Sequence, residues 1–439
     1  MLVVGWTTFA FAGLYPSLLL VPALVLGVLA LAYRDWASIG ARPAYDAWLA
    51  VVVAGIALQM VPLPRALVDF VSPGAHDAWQ QLSLSVPSMV PLSIDAPRTR
   101  RALLATIAAF LVFLVGRQTF SSGGVRVAIR GVAYTGMLLA AIALAQAATA
   151  RGLIYWRWKP VEAGADPFGP FVNRNHFTTW AILAIPMTLG YLAAHSAAHA
   201  HRSTAHMLWR RRILMMIDAR AIGLTAAACL MLVALILTQS RSGLLGIAAA
   251  SATALVLRAR GRPSGGRTAW WIAAGILVVA GLTIAQISPA ALGGRIASVR
   301  ASATGRLLIW HDTMAIVRDF WLTGTGAGTY VTSMLLYQRS PGWFFNQAHN
   351  HYLQVVSEGG LLLGVPVFTA LGLYFGRAWR TLMSDHSGMY WVRAGAFSGL
   401  VGVAAQCLWE TGLTMPANAL LAAISAAIVV HVPPPSARH

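Results

Sequence analysis

The feature that most limits this chain is a series of apolar runs long enough, or nearly long enough, to cross a bilayer. They fall at about 2–33, 44–61, 102–120, 127–149, 176–195, 220–238, 242–258, 269–287, 352–376, 389–409 and 416–432. An α-helix rises 1.5 Å per residue, so about 20 apolar residues match a hydrocarbon layer roughly 30 Å thick. Hydrophobic residues make up 58% of the 439-residue chain and charged residues only 10%, with a mean hydropathy of +0.66. Soluble domains carry about 25% charged residues. The sequence therefore predicts an all-α polytopic integral membrane protein, one transmembrane domain over 1–439 with 11–12 transmembrane helices and no second soluble domain. The first run decides between eleven and twelve. Thirty-odd residues of helix cover roughly 48 Å, too long for one upright span and too short for two, and Pro16 offers a break. The N-terminus MLVVGWTTFAF lacks a basic leader region and is expected to remain as a membrane segment.

Charge placement orients the spans. The chain carries a formal net charge of +19, and all but one of its 32 basic residues are arginine. The short loops at Arg34 to Arg42, Arg117 to Arg130, Arg202 to Arg220, Arg258 to Arg267 and Arg377 to Arg393, with Asp46 just beyond the first of them and the C-terminal tail, hold a net +14 against +5 on the other side. By the positive-inside rule those loops are cytoplasmic. Nucleic acid is a poor partner, because the arginines are spread over inter-span loops and form no soluble basic module. Anionic headgroups and a phosphorylated lipid substrate fit better, since the guanidinium fork matches phosphate oxygens. Cys229 and Cys407 both lie in apolar runs and predict neither a disulfide framework nor a cysteine metal site.

The opposite side holds segment 62–101, segment 150–175, the tight turn near Arg241 and a long loop over 288–351. Segment 62–101 is rich in Pro and Ser and is expected to pack at the membrane interface. Within the long loop, Leu307, Trp310, Met314, Val317 and Trp321 recur at steps of three and four, which predicts an amphipathic helix over about 303–321, lying either on the bundle or on the bilayer. Gly360 and Gly364 form a small-xxx-small pair expected to permit close helix packing.

Three segments on that side carry chemistry. In PFGPFVNRNHF, at 167–177, Asn173, Arg174, Asn175 and His176 crowd the start of a helix. Helix N-termini favour anions, so Arg174 there makes a phosphate seat; the plainer alternative is that an asparagine caps the helix while Arg174 touches headgroups. In LTQSRSG, Arg241 sits between two apolar runs, either as a second phosphate contact or as an interfacial anchor. In NQAHNHYLQVVSEGGLLLG, His349 and His351 open a helix that carries Glu358, with Asn350 between them. A closed metal site would need three or four ligands, which this set does not supply at suitable spacing. General base chemistry suits a histidine better, because its ordinary pKa of about 6.5 lies near neutral pH. GTGAGTY at 324–330 is not a dinucleotide loop, since no strand precedes it, and is expected to form a tight turn. His195, His199, His201 and His206 are read as an interfacial charged loop.

The combination of GPFVNRNHF, TQSRSG and AHNHYLQVVSEGGLLLG after a long loop resembles the O-antigen ligase-like family of bacterial membrane proteins, over about 165–410. Leu363 stands where the ligase signature has threonine, so the family is better supported than its ligase branch. The resemblance implies a GT-C-type bundle of twelve helices with a long periplasmic loop, cytoplasmic termini and a periplasmic active site in the inner membrane. It also implies an undecaprenyl-diphosphate-linked glycan donor and no cofactor or metal. By motif position His349 is the catalytic residue, Arg174 and Arg241 bind the substrate diphosphate, and Asn173, Asn175, Asn350 and His351 support them. The expected activity is an O-antigen ligase of inverting type, with lipid A-core as acceptor and a monomer as the working unit. A polymerase or a protein O-oligosaccharyltransferase would use the same site with another acceptor. A polyprenyl-linked glycan transporter is the rival from another class, opposed by the absence of an evident halved repeat.

Overall fold

In the computed structural model, residues 1–15, 43–83, 85, 87–162, 164–202, 218–259, 305–339 and 344–432 are described. In chain order the helices are α1 (Leu2–Phe9), α2 (Ala44–Leu58), α3 (Arg65–Val71), α4 (Pro73–Leu82), α5 (Ala96–Ser121), α6 (Val125–Thr149), α7 (Arg174–Arg202), α8 (Ala219–Leu237) and α9 (Arg241–Ala259). They continue with α10 (305–319), α11 (Tyr330–Tyr337), α12 (His351–Ser384), α13 (Tyr390–Gln406) and α14 (Pro416–Val430). Among the described residues six helices are long and apolar enough to span a membrane: α5, α6, Arg174–Ala198 of α7, α8, α9 and α12. Helices α2 and α14 are apolar but shorter. The run at 269–287, the break at Pro16 and His206 lie outside the described residues. The first run does turn before Pro16, because α1 stops at Phe9 and Ala12 takes a positive φ of 56°.

Helix α7 is the hub. Its apolar stretch is almost wholly buried, whereas the other five spans leave most of their surface facing outward. Close approach explains how. A Cβ on Gly395 would meet the Pro186 carbonyl of α7, and one on Gly402 would lie 2.6 Å from the Gly246 carbonyl of α9, so glycines let α13 lie backbone to backbone between them. Trp180, Ile182, Leu183, Ile185 and Met187 of α7 are fully buried in the same core.

Two arginines counted in the basic loops are buried in ion pairs instead of facing headgroups. Arg117 grips Asp46 with both Nη atoms, at 3.0 and 2.6 Å. Arg393 donates to Asp385 at 2.7 Å and to the His431 carbonyl. His195 likewise lies within α7, 2.9 Å from Asp218, and not in a loop.

Segment 62–101 and the long loop fold together as a cap. Leu63–Pro64 and Met89–Val90 form a two-stranded antiparallel ladder, the only sheet among the described residues. Val68, Ala75, Ala78, Val90, Leu92 and Ile94 pack against Ile316, Phe320, Tyr330 and Met334. Residues 305–319 form a helix; Ile309, Thr313, Ile316 and, just past its end, Phe320 are buried, whereas of the apolar stripe Trp310 and Val317 are half-buried and Leu307, Met314 and Trp321 are exposed. The helix has apolar residues on two faces, and the cap selects one of them.

Gly360 works differently from a helix-packing pair. It bends α12 at φ 54°, ψ −150°, and a Cβ there would lie 2.6 Å from the Gly324 amide nitrogen. The bend frees backbone groups that the cap satisfies. Leu361 and Leu362 amides donate to the Trp321 and Leu322 carbonyls at 2.8 and 2.9 Å, while the Ser357 and Glu358 carbonyls accept from Thr325 and Gly326. A Cβ on Gly364 would meet nothing within 4 Å, so no close packing passes through it.

Candidate active site

Three helix N-termini meet at one end of the bundle. Before α7, the Arg174 amide donates to the Asp166 carbonyl at 2.8 Å, closing a loop whose tip turns at Gly169 with φ 60°. Asn173 Oδ1 accepts from the Asn175 amide at 2.8 Å and so caps the helix. Arg174 projects from the first turn, and its Nε lies 3.0 Å from Asp166 Oδ2, both side chains well exposed. Before α9, Gln239 takes a φ of 53° and Ser240 Oγ caps the Gly243 amide at 3.1 Å. Arg241, exposed, is the first residue of α9. Gly243 then lies against Thr178, fixing the start of α9 beside the second turn of α7.

The third N-terminus carries the histidines. Asn350 Oδ1 caps α12 through the Leu353 amide at 3.0 Å, and the His351 amide donates to the Cys407 carbonyl at 2.8 Å. His349 sits in the left-handed region at φ 48°, a conformation costing a non-glycine residue about 1–3 kcal/mol. Its neighbours hold it there. The Ala348 amide donates to Gln354 Oε1, and Trp310 of α10 donates to the Ala348 carbonyl at 2.9 Å. The cap helix thus positions the backbone next to His349.

Glu410, between α13 and α14, ties these starts together. Its Oε2 accepts from Asn175 Nδ2 at 2.6 Å, and its Oε1 lies 3.8 Å from His349 Nδ1 and 3.7 Å from His176 Nε2. The carboxylate is 1% exposed and His176 4%, whereas His349 is 29% exposed. Of the two imidazoles, only that of His349 is open to a ligand. Burial alone would raise the Glu410 carboxyl. The facing imidazoles of His349 and His176, with the Thr411 amide, outweigh burial and hold it down to about 2. A fixed negative charge therefore backs an accessible histidine.

Residues 226–368 match the family model described as O-antigen ligase. Over that segment the chain is similar to the O-antigen ligase-like family. The family's activity is of the O-antigen ligase or polymerase type, a glycan-transferring membrane enzyme. No curated protein matches the chain. The matched segment includes Arg241, the described part of the long loop, His349 and Gly360, while Arg174, Asn175 and Glu410 fall outside it, the last two joined by their own hydrogen bond.

The O-antigen ligase-like motifs fall in different roles. Asn173 and Asn350 are caps, Asn175 donates to Glu410, and His351 is anchored through its backbone. The Glu358 carboxylate accepts from the Gly328 and Tyr330 amides at 2.7 and 3.2 Å, clamping the glycine-rich turn. Gly324, Gly326 and Gly328, all at positive φ, make that turn. Sequence reasoning missed Glu410 and set only Glu358 beside the histidines. A signal was present, since Glu410 is the only acidic residue after Asp385 and interrupts an apolar stretch. His176 was noted only as part of the crowded helix start.

Proposed function

We propose that the chain transfers a glycan from undecaprenyl diphosphate to a hydroxyl of lipid A-core at the periplasmic face of the inner membrane. The observation that carries this is His349, accessible and backed by the buried Glu410 carboxylate, at the junction of the helix starts that bear Arg174 and Arg241. With Nδ1 toward Glu410, Nε2 is left to take the acceptor's hydroxyl proton. The hydroxyl oxygen attacks the anomeric carbon, the bond to the diphosphate oxygen breaks with inversion, and the electron pair departs with the diphosphate. Glu410 stabilises the imidazolium so formed, as a carboxylate orients and stabilises histidine in hydrolase triads. The 3.8 Å spacing is loose for a hydrogen bond, as catalytic pairs without substrate often are. Arg174 and Arg241, each on the first residue of a helix, add guanidinium charge to the helix dipoles where the diphosphate charge grows. Arg174 must exchange Asp166 for the donor.

The test is transfer from a lipid-linked glycan by purified His349→Ala, Arg174→Ala and Arg241→Ala variants, each shown to be folded. Removing a general base costs about 10²–10⁴ in rate, so normal activity in all three would overturn the site. The acceptor is read in the native host. Deletion that removes all glycan-capped lipopolysaccharide supports ligation, whereas a single repeat left on the core indicates polymerisation instead.

A further inference from the structure

The other end of α12 holds a second basic site, independent of the transfer chemistry. At 1.5 Å per residue, the 34 residues of α12 put Ser384 roughly 50 Å from His351 along the helix. There a cavity of about 320 Å³ opens between the last turns of α12, the 385–387 turn, the start of α13 and the end of α14. Its size is at the small end of ligand cavities, which run about 300–1,000 Å³. The walls include Arg377, Arg380, Arg393, His386 and His431, and a single carboxylate, Asp385.

That carboxylate is already committed. Its Oδ2 accepts from Arg393 at 2.7 Å, and its Oδ1 accepts from the Ser387 amide and hydroxyl at 2.8 and 2.7 Å. Arg377 and Arg380 are exposed, and no carboxylate lies within ion-pair distance of either among the described residues. Arg393 is nineteen-twentieths buried. Its two Nη atoms reach Asp385 and the His431 carbonyl, yet its Nε has no acceptor among the described residues. A buried guanidinium N–H without an acceptor is uncommon, and an anion oxygen in the cavity would supply one. Arg380 Nε donates to the Gly376 carbonyl at 3.3 Å. Part of the arginine charge offsets the α12 C-terminal dipole, but a terminus carries only about half an elementary charge against two guanidinium groups with no carboxylate partner among the described residues.

We propose that this cavity binds a phosphate-bearing anion, taken up as the headgroup of an anionic lipid in the leaflet facing away from the transfer site. Arg377 and Arg380 form the guanidinium fork for the phosphate, Thr381 and Ser387 offer hydroxyls, and Arg393 closes the floor.

Native mass spectrometry of the purified full-length protein tests this. The titrants are phosphatidylglycerol and phosphatidylcholine with identical acyl chains, and the comparison is Arg377→Gln/Arg380→Gln. The parent should retain phosphatidylglycerol at least fivefold more tightly, and the double variant should lose that preference while keeping its melting temperature. If inorganic phosphate alone raises the melting temperature of the parent in detergent, and not that of the variant, the phosphate chemistry stands and its source is a free anion. Equal retention of the two lipids by the parent with no phosphate effect would overturn the proposal, as would the same preference in both proteins. The variant leaves the transfer site intact, so its basal activity reports on folding and not on this binding.

Discussion

Replacing Glu410 by glutamine keeps the shape of the side chain and removes the charge behind His349. The pair lies 3.8 Å apart. At an effective dielectric near 20, two unit charges at that spacing interact by about 4 kcal/mol, equivalent to roughly 10³ in rate if the whole interaction acts on the imidazolium of the transition state. Glutamine also brings a structural cost. Asn175 Nδ2 and the Thr411 amide both donate to the carboxylate, and one amide oxygen cannot serve both places, leaving a buried group unsatisfied at about 1–3 kcal/mol. A thermal melt must therefore show the variant folded before its rate is read. The assay is single-turnover transfer from a lipid-linked glycan. If Glu410 acts through His349, Glu410→Gln should slow transfer by about 10²–10³, and adding it to His349→Ala should cost little more, because groups that act as a unit are not additive. A folded Glu410→Gln protein within threefold of the parent rate would refute the reasoning. So would full additivity with His349→Ala.

The same carboxylate gives a pH prediction. Its folded value is depressed from 4.5 to about 2, so its stabilising contribution is present above about 4.5 and is lost as pH falls toward 2. Melting temperatures over that window should fall more steeply for the parent than for Glu410→Gln. Gly360→Ala places a Cβ against the Gly324 backbone at a positive φ and should lower stability by about 1–3 kcal/mol, read as a drop in melting temperature. Gly364→Ala enters open space and should be nearly neutral in the same melt. Arg174→Ala should cost about 10²–10³ in transfer, by analogy with loss of one transition-state donor. Asp166→Asn releases the competing exposed ion pair, worth under about 1 kcal/mol, and should leave the donor KM unchanged or lower. Asp46→Ala strands the buried Arg117 charge and should destabilise the bundle by about 3–5 kcal/mol, seen in detergent melts.

Local sequence was enough wherever the physics is local. Hydropathy over about 20 residues marks a span because every backbone polar group in lipid must be satisfied within its own helix. Asn173, Ser240 and Asn350 sit at helix starts because short polar side chains reach the free amides of the first turn. The motifs alone set Arg174 and His349 beside helix starts and Arg241 in the turn between two spans. Three features were settled only by the tertiary structure. Leu307, Met314 and Trp321 recur at helical spacing, as do Ile309, Ile316 and Phe320, and only the packing of the cap shows which set is covered. Gly360 reads as a helix-packing glycine until the Trp321 and Leu322 carbonyls are seen occupying its bend. Glu410 lies 61 positions from His349 in the chain and 3.8 Å from it in space. No spacing rule spans that separation, because the contact is made by the return of α13 against α7 and not by any helical repeat. The sequence determined which chemical groups were available and at which helix ends; the fold decided which charge stands behind which imidazole.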